Sequence, residues 1–105
     1  MIKRETIFWT ELPGQKARPA VVVSPGFLNE VRPRLLAAPC TSRRTDEITR
    51  TELLLDAKNL PKPTKVQCQD LASIKKKYLK AHIRNLYPGE VNSLNEAITI
   101  ATGLW

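Results

Sequence analysis

The chemistry open to this chain is narrow. Its one histidine, His82, has no second histidine with which to share acid–base work. Two cysteines, Cys40 and Cys68, even with that histidine, fall short of the four ligands of a tetrahedral zinc site. What the chain does hold is cationic and hydroxylic. Lys16 and Arg18 follow a Pro13-Gly14 turn, and Thr41 and Ser42 follow Pro39-Cys40. A guanidinium grips phosphate oxygens with a planar fork and keeps its charge at every working pH. A hydroxyl can donate to a phosphoryl oxygen. Gln67 and Gln69 are two apart, so on a strand they share a face, and amides can read base edges. By residue type alone, the plainer readings are structural. Arg18 is a loop arginine paired with a carboxylate, Thr41 a strand-end hydroxyl bonded to backbone, Ser42 a turn residue and Lys16 a solvated lysine.

The elements that must position these groups fit in one domain, residues 1–105. Apolar residues make up 42% and charged residues 26%, the balance of an ordinary globule. Seventeen Lys and Arg against ten Asp and Glu leave a net charge of +7. That imbalance points to a polyanionic partner such as nucleic acid, an acidic protein tail or a membrane surface. The alternative is charge that serves solubility alone. The dense run Lys75-Lys76-Lys77, with Lys80 and Arg84 after it, reads as a solvated face. No apolar run reaches the ~18 residues of a membrane span. Met1-Ile2-Lys3-Arg4-Glu5 carries no signal-peptide core. A cytoplasmic protein with reduced thiols and no membrane partner is expected.

Prolines and glycines punctuate the first two-thirds of the chain and separate short β-branched runs. Strands are predicted over 6–10, 20–23, 34–40, 51–55 and 65–69. The run Ala20-Val21-Val22-Val23 is wholly apolar, as in a buried central strand. Pro39 implies an edge or a bulge near the end of the third strand. Over 71–86 the spacing of Leu71, Ile74, Tyr78, Leu79, His82, Ile83 and Leu86 favours a helix, with a sixth strand through Ile74 as the alternative. The closing segment is a helix. Pro88 suits its first turn, Glu90 suits the dipole, and Val91, Leu94, Ile98 and Ala101 form a stripe flanked by Ala97 and Leu104. Gly103 is its stop. The fold class is mostly β with a C-terminal helix, a small antiparallel barrel.

The stretch Gly14-Gln15-Lys16-Ala17-Arg18-Pro19-Ala20-Val21-Val22-Val23-Ser24-Pro25 resembles the signature of the MazF/PemK toxin family. The likeness continues through Phe27-Leu28-Asn29 into Ala38-Pro39-Cys40-Thr41-Ser42, and a third block is similar at Val66-Gln67-Cys68-Gln69-Asp70 with Ile74. It spans nearly the whole chain. The resemblance implies an SH3-like β-barrel of the MazF/CcdB toxin fold. It implies a homodimeric toxin of a type II toxin–antitoxin pair that cuts single-stranded RNA without a metal or other cofactor. The acidic C-terminal tail of a cognate antitoxin would block the RNA groove. It also favours a strand near 71–76 over a long helix.

On that resemblance Arg18 and Thr41 match the family's catalytic arginine and threonine. Arg18 would stabilise charge on the phosphate, and Thr41 would donate to a phosphoryl oxygen. Lys16 and Ser42 would contact phosphate, and Gln67 and Gln69 would recognise bases. Some members carry an arginine where Gln67 falls and an acid where Gln69 falls. Asp70, one position later, would face away on a regular strand. The first loop is short and lacks a histidine that some members have there. His82 lies outside all three blocks and reads as structural. The cysteines read as buried thiols, and Trp9 and Trp105 as core or interface residues ahead of stacking platforms. Two other functions stay open: a CcdB-like gyrase poison acting through the Gly103-Leu104-Trp105 tail, and an inactive barrel that binds RNA.

Overall fold

The computed structural model describes residues 2–104. Seven strands and two helices follow in the order β1 Thr6–Thr10, β2 Arg18–Val22, α1 Gly26–Val31, β3 Arg34–Thr41, β4 Glu52–Leu55, β5 Thr64–Gln67, β6 Ala72–Lys75, β7 Leu79–Asn85 and α2 Pro88–Ala101. Every pairing is antiparallel, in the order β4-β5-β3-β2-β1-β7, with β6 also on β3. The strands curve into an open half-barrel with α2 packed on it, the expected fold class.

Strand β2 is central, as its composition predicts, because both its faces are buried. Val21 and Val23 join Ile7, Ala38, Cys40, Val66 and Leu94 in a core under α2. Ala20 and Val22 join Leu35, Ala37 and Ile74 on the opposite side. Fully burying one such side chain is worth about 1.5–3 kcal/mol, so a strand that feeds two cores has no polar alternative.

Strand β3 is also central, which corrects the edge expected from Pro39. One side of β3 pairs with β2, with Pro39 opposite Ala20. The other side changes partner. Residues 34–37 pair with β6, and Cys40 and Thr41 pair with β5. Pro39 lies in the gap between those two partners, where its missing N–H leaves no ladder bond unmade.

The helical spacing over 71–86 is overruled. That segment forms β6, a 3₁₀ turn over Lys76–Tyr78, and β7. Pairing decides it. β6 has β3 to bond with, β7 has β1, and Tyr78 O accepts from Glu11 N–H at 3.0 Å. A lone helix would forfeit those partners. The strand implied near 71–76 by the resemblance is β6.

The fifth strand is shorter than expected. It ends at Gln67, and a 3₁₀ turn over Cys68–Asp70 follows. Gln67 and Gln69 therefore do not share a strand face. The periodicity of 65–69 had no way to show that Cys68 N–H turns to bond Thr51 O at 3.0 Å. Helix α1 was not foreseen. Pro25 O accepts from both Leu28 and Asn29 N–H, so the proline that ends β2 also starts a turn. Buried Asn29 pins it, donating from Nδ2 to Ile2 O and Ser24 O, both at 2.9 Å.

In α2, Leu94 and Ala97 are buried and Val91, Ile98 and Ala101 pack beside them. Leu104 is 82% exposed and lies outside the stripe. Gly103 takes φ +77, and Leu104 N–H returns to Thr99 O at 2.9 Å, a helix stop that favours glycine. Among the described residues no helix is long and apolar enough to cross a membrane.

Candidate nucleic-acid interface

A cleft of about 560 Å³ opens at one end of the sheet, beyond the core covered by α2. Antiparallel pairing assembles it. The β1–β2 turn, held by Gln15 N–H to Leu12 O at 3.1 Å, delivers Lys16 and Arg18. The end of β3 delivers Thr41, Ser42 and Arg43. The loop before β5 brings Lys62, and the last residue of β5 brings Gln67. Five of the six expected site residues thus line one cleft: Lys16, Arg18, Thr41, Ser42 and Gln67. Gln69 does not.

The electrostatics are one-sided. Lys16, Arg18, Arg43 and Lys62 all line the cleft and are all exposed, and no Asp or Glu joins them there. Among the described residues none of the four cationic groups has a hydrogen bond or an ion pair. The carboxylate partner that the plainer reading gives Arg18 is absent among the described residues. Four like charges around one concavity create a field that selects anions.

Thr41 makes the bond of its plainer reading. Its Oγ1 accepts from Arg43 N–H at 3.1 Å, the local backbone bond expected at a strand end. That bond uses a lone pair and leaves the hydroxyl proton free to donate. It also fixes Arg43 beside Thr41. Gln67 lines the cleft half-buried, and its side chain has no partner among the described residues.

Gln69 is committed elsewhere. It donates from Nε2 to Glu52 Oε2 at 2.9 Å and accepts from Thr51 Oγ1 at 2.9 Å. Glu52 also takes a bond from Lys65 Nζ at 3.0 Å and from Thr49 N–H at 3.1 Å. Burial pushes the Glu52 carboxyl up, but the bonds from Gln69, Thr49 and Lys65 overcome this and hold it down to about 2.

The thiols are buried and free. Burial pushes Cys40 far above the usual thiol range, Cys68 adds to this, and Arg18 opposes it only in part. Burial and then Glu52 push Cys68 up to about 11. Neither forms a thiolate near neutral pH. His82 is on β7, edge-on to Phe8 at 5.3 Å and within 3.2 Å of Asn85 Oδ1, away from the cleft.

Two cleft residues, Arg43 and Lys62, had not been singled out as contacts. Arg43 directly follows the Thr41-Ser42 pair, and Lys62 is bracketed by Pro61 and Pro63. Trp9, read as core or interface ahead of a stacking platform, lines the cleft half-buried. Trp105 lies outside the described residues.

Comparisons with known proteins bear on the fold and the family. Residues 3–102 match the family of PemK-like, MazF-like toxins of type II toxin–antitoxin systems. No curated protein matches. Among solved structures, an endoribonuclease in complex with its cognate antitoxin from a mycobacterial species is similar at a TM-score of 0.88 and 22% identity, over 100% of this chain and 98% of that one. The Mycobacterium tuberculosis toxin MazF-mt6 is similar at a TM-score of 0.82 and 27% identity, over 93% of this chain and 96% of that one. A MazE–MazF structure from Deinococcus radiodurans is similar at a TM-score of 0.81 and 20% identity, over 97% and 95%. A fold shared from end to end and a family match over residues 3–102 lead to one conclusion: this chain belongs to the PemK-like, MazF-like toxins of type II toxin–antitoxin systems.

Proposed function

We propose that this toxin is a cytoplasmic, metal-independent endoribonuclease that cuts single-stranded RNA in the cationic cleft. The observation that carries the reading is Arg18, unpaired and lining the same cleft as Thr41. Water takes the proton of the ribose 2′-hydroxyl as its oxygen attacks the adjacent phosphorus, the bond to the 5′-oxygen breaks, water returns a proton to that oxygen, and a 2′,3′-cyclic phosphate and a 5′-hydroxyl result. Arg18 stabilises charge on the phosphoryl oxygens, and Thr41 donates to one of them. Lys16, Ser42, Arg43 and Lys62 hold flanking phosphates, and Gln67 reads a base edge. Gln69 serves the fold through Glu52.

An antitoxin with an acidic C-terminal tail fits the same cleft, since four unpaired cations attract carboxylates as well as phosphates. A homodimer is supported by a second surface. Phe27 and Val31 are 69% and 77% exposed on α1, beside exposed Leu28 and Leu36. Large apolar side chains gathered this way mark an interface.

A binding-only barrel is the second reading. It is favoured by the lack of a carboxylate or imidazole among the described residues lining the cleft. One experiment separates the two: a long mixed-sequence RNA in EDTA, wild type beside Arg18→Ala, with the ends mapped. Discrete cuts lost in the variant support the nuclease. Salt-sensitive binding without cuts supports the inactive barrel. Neither outcome, with DNA gyrase inhibited instead, supports a poison acting through the tail.

A further inference from the structure

We propose that Trp9 is the platform on which one RNA base stacks, and that it fixes the nucleotide beside the scissile phosphate. The inference rests on the nuclease reading above and names a contact that reading does not need. Trp9 is on β1 opposite Pro19, one step along the ladder from the Thr10–Arg18 pair. Its indole is therefore tied by backbone register to the residue that would grip the phosphate.

Three observations separate Trp9 from an ordinary core tryptophan. It belongs to neither buried cluster, although Ile7 and Phe8 before it each pack in or against one. No aromatic ring packs on it among the described residues. Its indole N–H has no hydrogen bond there either, whereas a buried tryptophan finds a partner. A large ring that serves no core and lines an open cleft is surface held in reserve for a ligand.

The surroundings define that ligand. Pro19, opposite Trp9 on the ladder, and Ala17 are apolar residues lining the same cleft, and the four cations line it too. A cleft that joins apolar and cationic groups suits a single strand, whose bases stack and whose phosphates are charged. Gln67, also in the cleft, offers an amide to the edge of a base. Trp9 then supplies affinity that tolerates any base, and Gln67 supplies the choice.

The test begins with the RNA site mapped by wild-type cleavage in EDTA. A 2′-deoxy copy of that site, which lacks the nucleophile, is titrated into Trp105→Phe protein, where Trp9 is the sole tryptophan. Saturable quenching of its emission is expected. In the same background Trp9→Ala should bind about 5- to 150-fold more weakly, and Trp9→Phe should keep most of the affinity. With one abasic position in the oligonucleotide, the parent and Trp9→Ala should bind alike. A structural role would not produce that convergence. Saturated binding with unchanged emission, or an equal loss in Trp9→Ala at every abasic position, overturns the platform and leaves the nuclease standing. If Trp9→Ala fails to fold, quenching and the Trp9→Phe affinity decide the matter. No cuts by folded wild type would overturn the nuclease reading and this inference with it.

Discussion

Arg84 and Arg18 are the same residue type in the same sheet, and their surroundings are opposite. Arg84 is saturated. It pairs with both oxygens of Glu90, at 2.8 and 2.9 Å, and donates to the carbonyls of Lys58, Asn85 and Asp56. Its guanidinium lies 4.4 Å from the centroid of the Tyr87 ring. Glu90 completes the joint by accepting from Tyr87 and Asp56 N–H, both at 2.8 Å, which ties α2, β7 and the loop after β4 together. Arg18 has none of this. Its charge is exposed, among three other unpaired cations. A guanidinium whose donors are all used holds a fold. One whose donors are all free, in a cleft without acids, is available to a phosphate.

That contrast can be broken from either end. The largest effect is expected for Arg84→Met, which strands the Glu90 carboxylate, only 10% exposed. Thermal unfolding should report a loss of about 3–5 kcal/mol. Arg18→Ala should do the reverse. Its unfolding midpoint should match wild type, while single-turnover RNA cleavage falls about 10²- to 10³-fold. A lowered midpoint would make Arg18 structural after all.

Acid sharpens the same contrast, because the carboxylates that hold the fold have depressed pKa values. Glu52 titrates at about 2 in the folded chain against 4.5 unperturbed. Its contribution is present above pH 4.5 and is lost as pH falls toward 2. Glu90 is lowered too: burial raises it, but the bonds from Arg84, Tyr87 and Asp56 win. Urea midpoints measured from pH 6 down to 2 should fall over that window, and Glu52→Gln should flatten the fall. The smallest effects belong to the rim. Lys62→Ala and Arg43→Ala should each reduce the slope of log affinity against log salt by about 0.7 and leave the cleavage step at saturation unchanged.

Legibility followed the range of the physics. Ala20–Val23 was readable as a buried strand because four adjacent apolar residues need two covered faces, a local fact. Helix α2 was readable because its stripe, its proline and its glycine stop are local as well. Residues 71–86 misled because helical spacing and strand pairing competed, and β1 and β3 lie far away in sequence. Glu90 was read as a dipole acid, since nothing near it announces six residues of reach back to Arg84. Gln69 was placed beside Gln67 by alternation, and a turn that bonds Thr51 removed it.

The sequence by itself determined the strand-rich fold with its closing helix, the excess of positive charge, and the two blocks that carry Arg18 and Thr41. These are properties of composition and of short spacing. Only the tertiary structure decided which charges stay unpaired. It folded β2 against β3 so that residues 23 positions apart share a cleft, brought Arg43 and Lys62 to its rim, and left Trp9 outside both cores. Whether a cation is a strut or a site depends on what lies within hydrogen-bonding distance, and long-range pairing sets that distance.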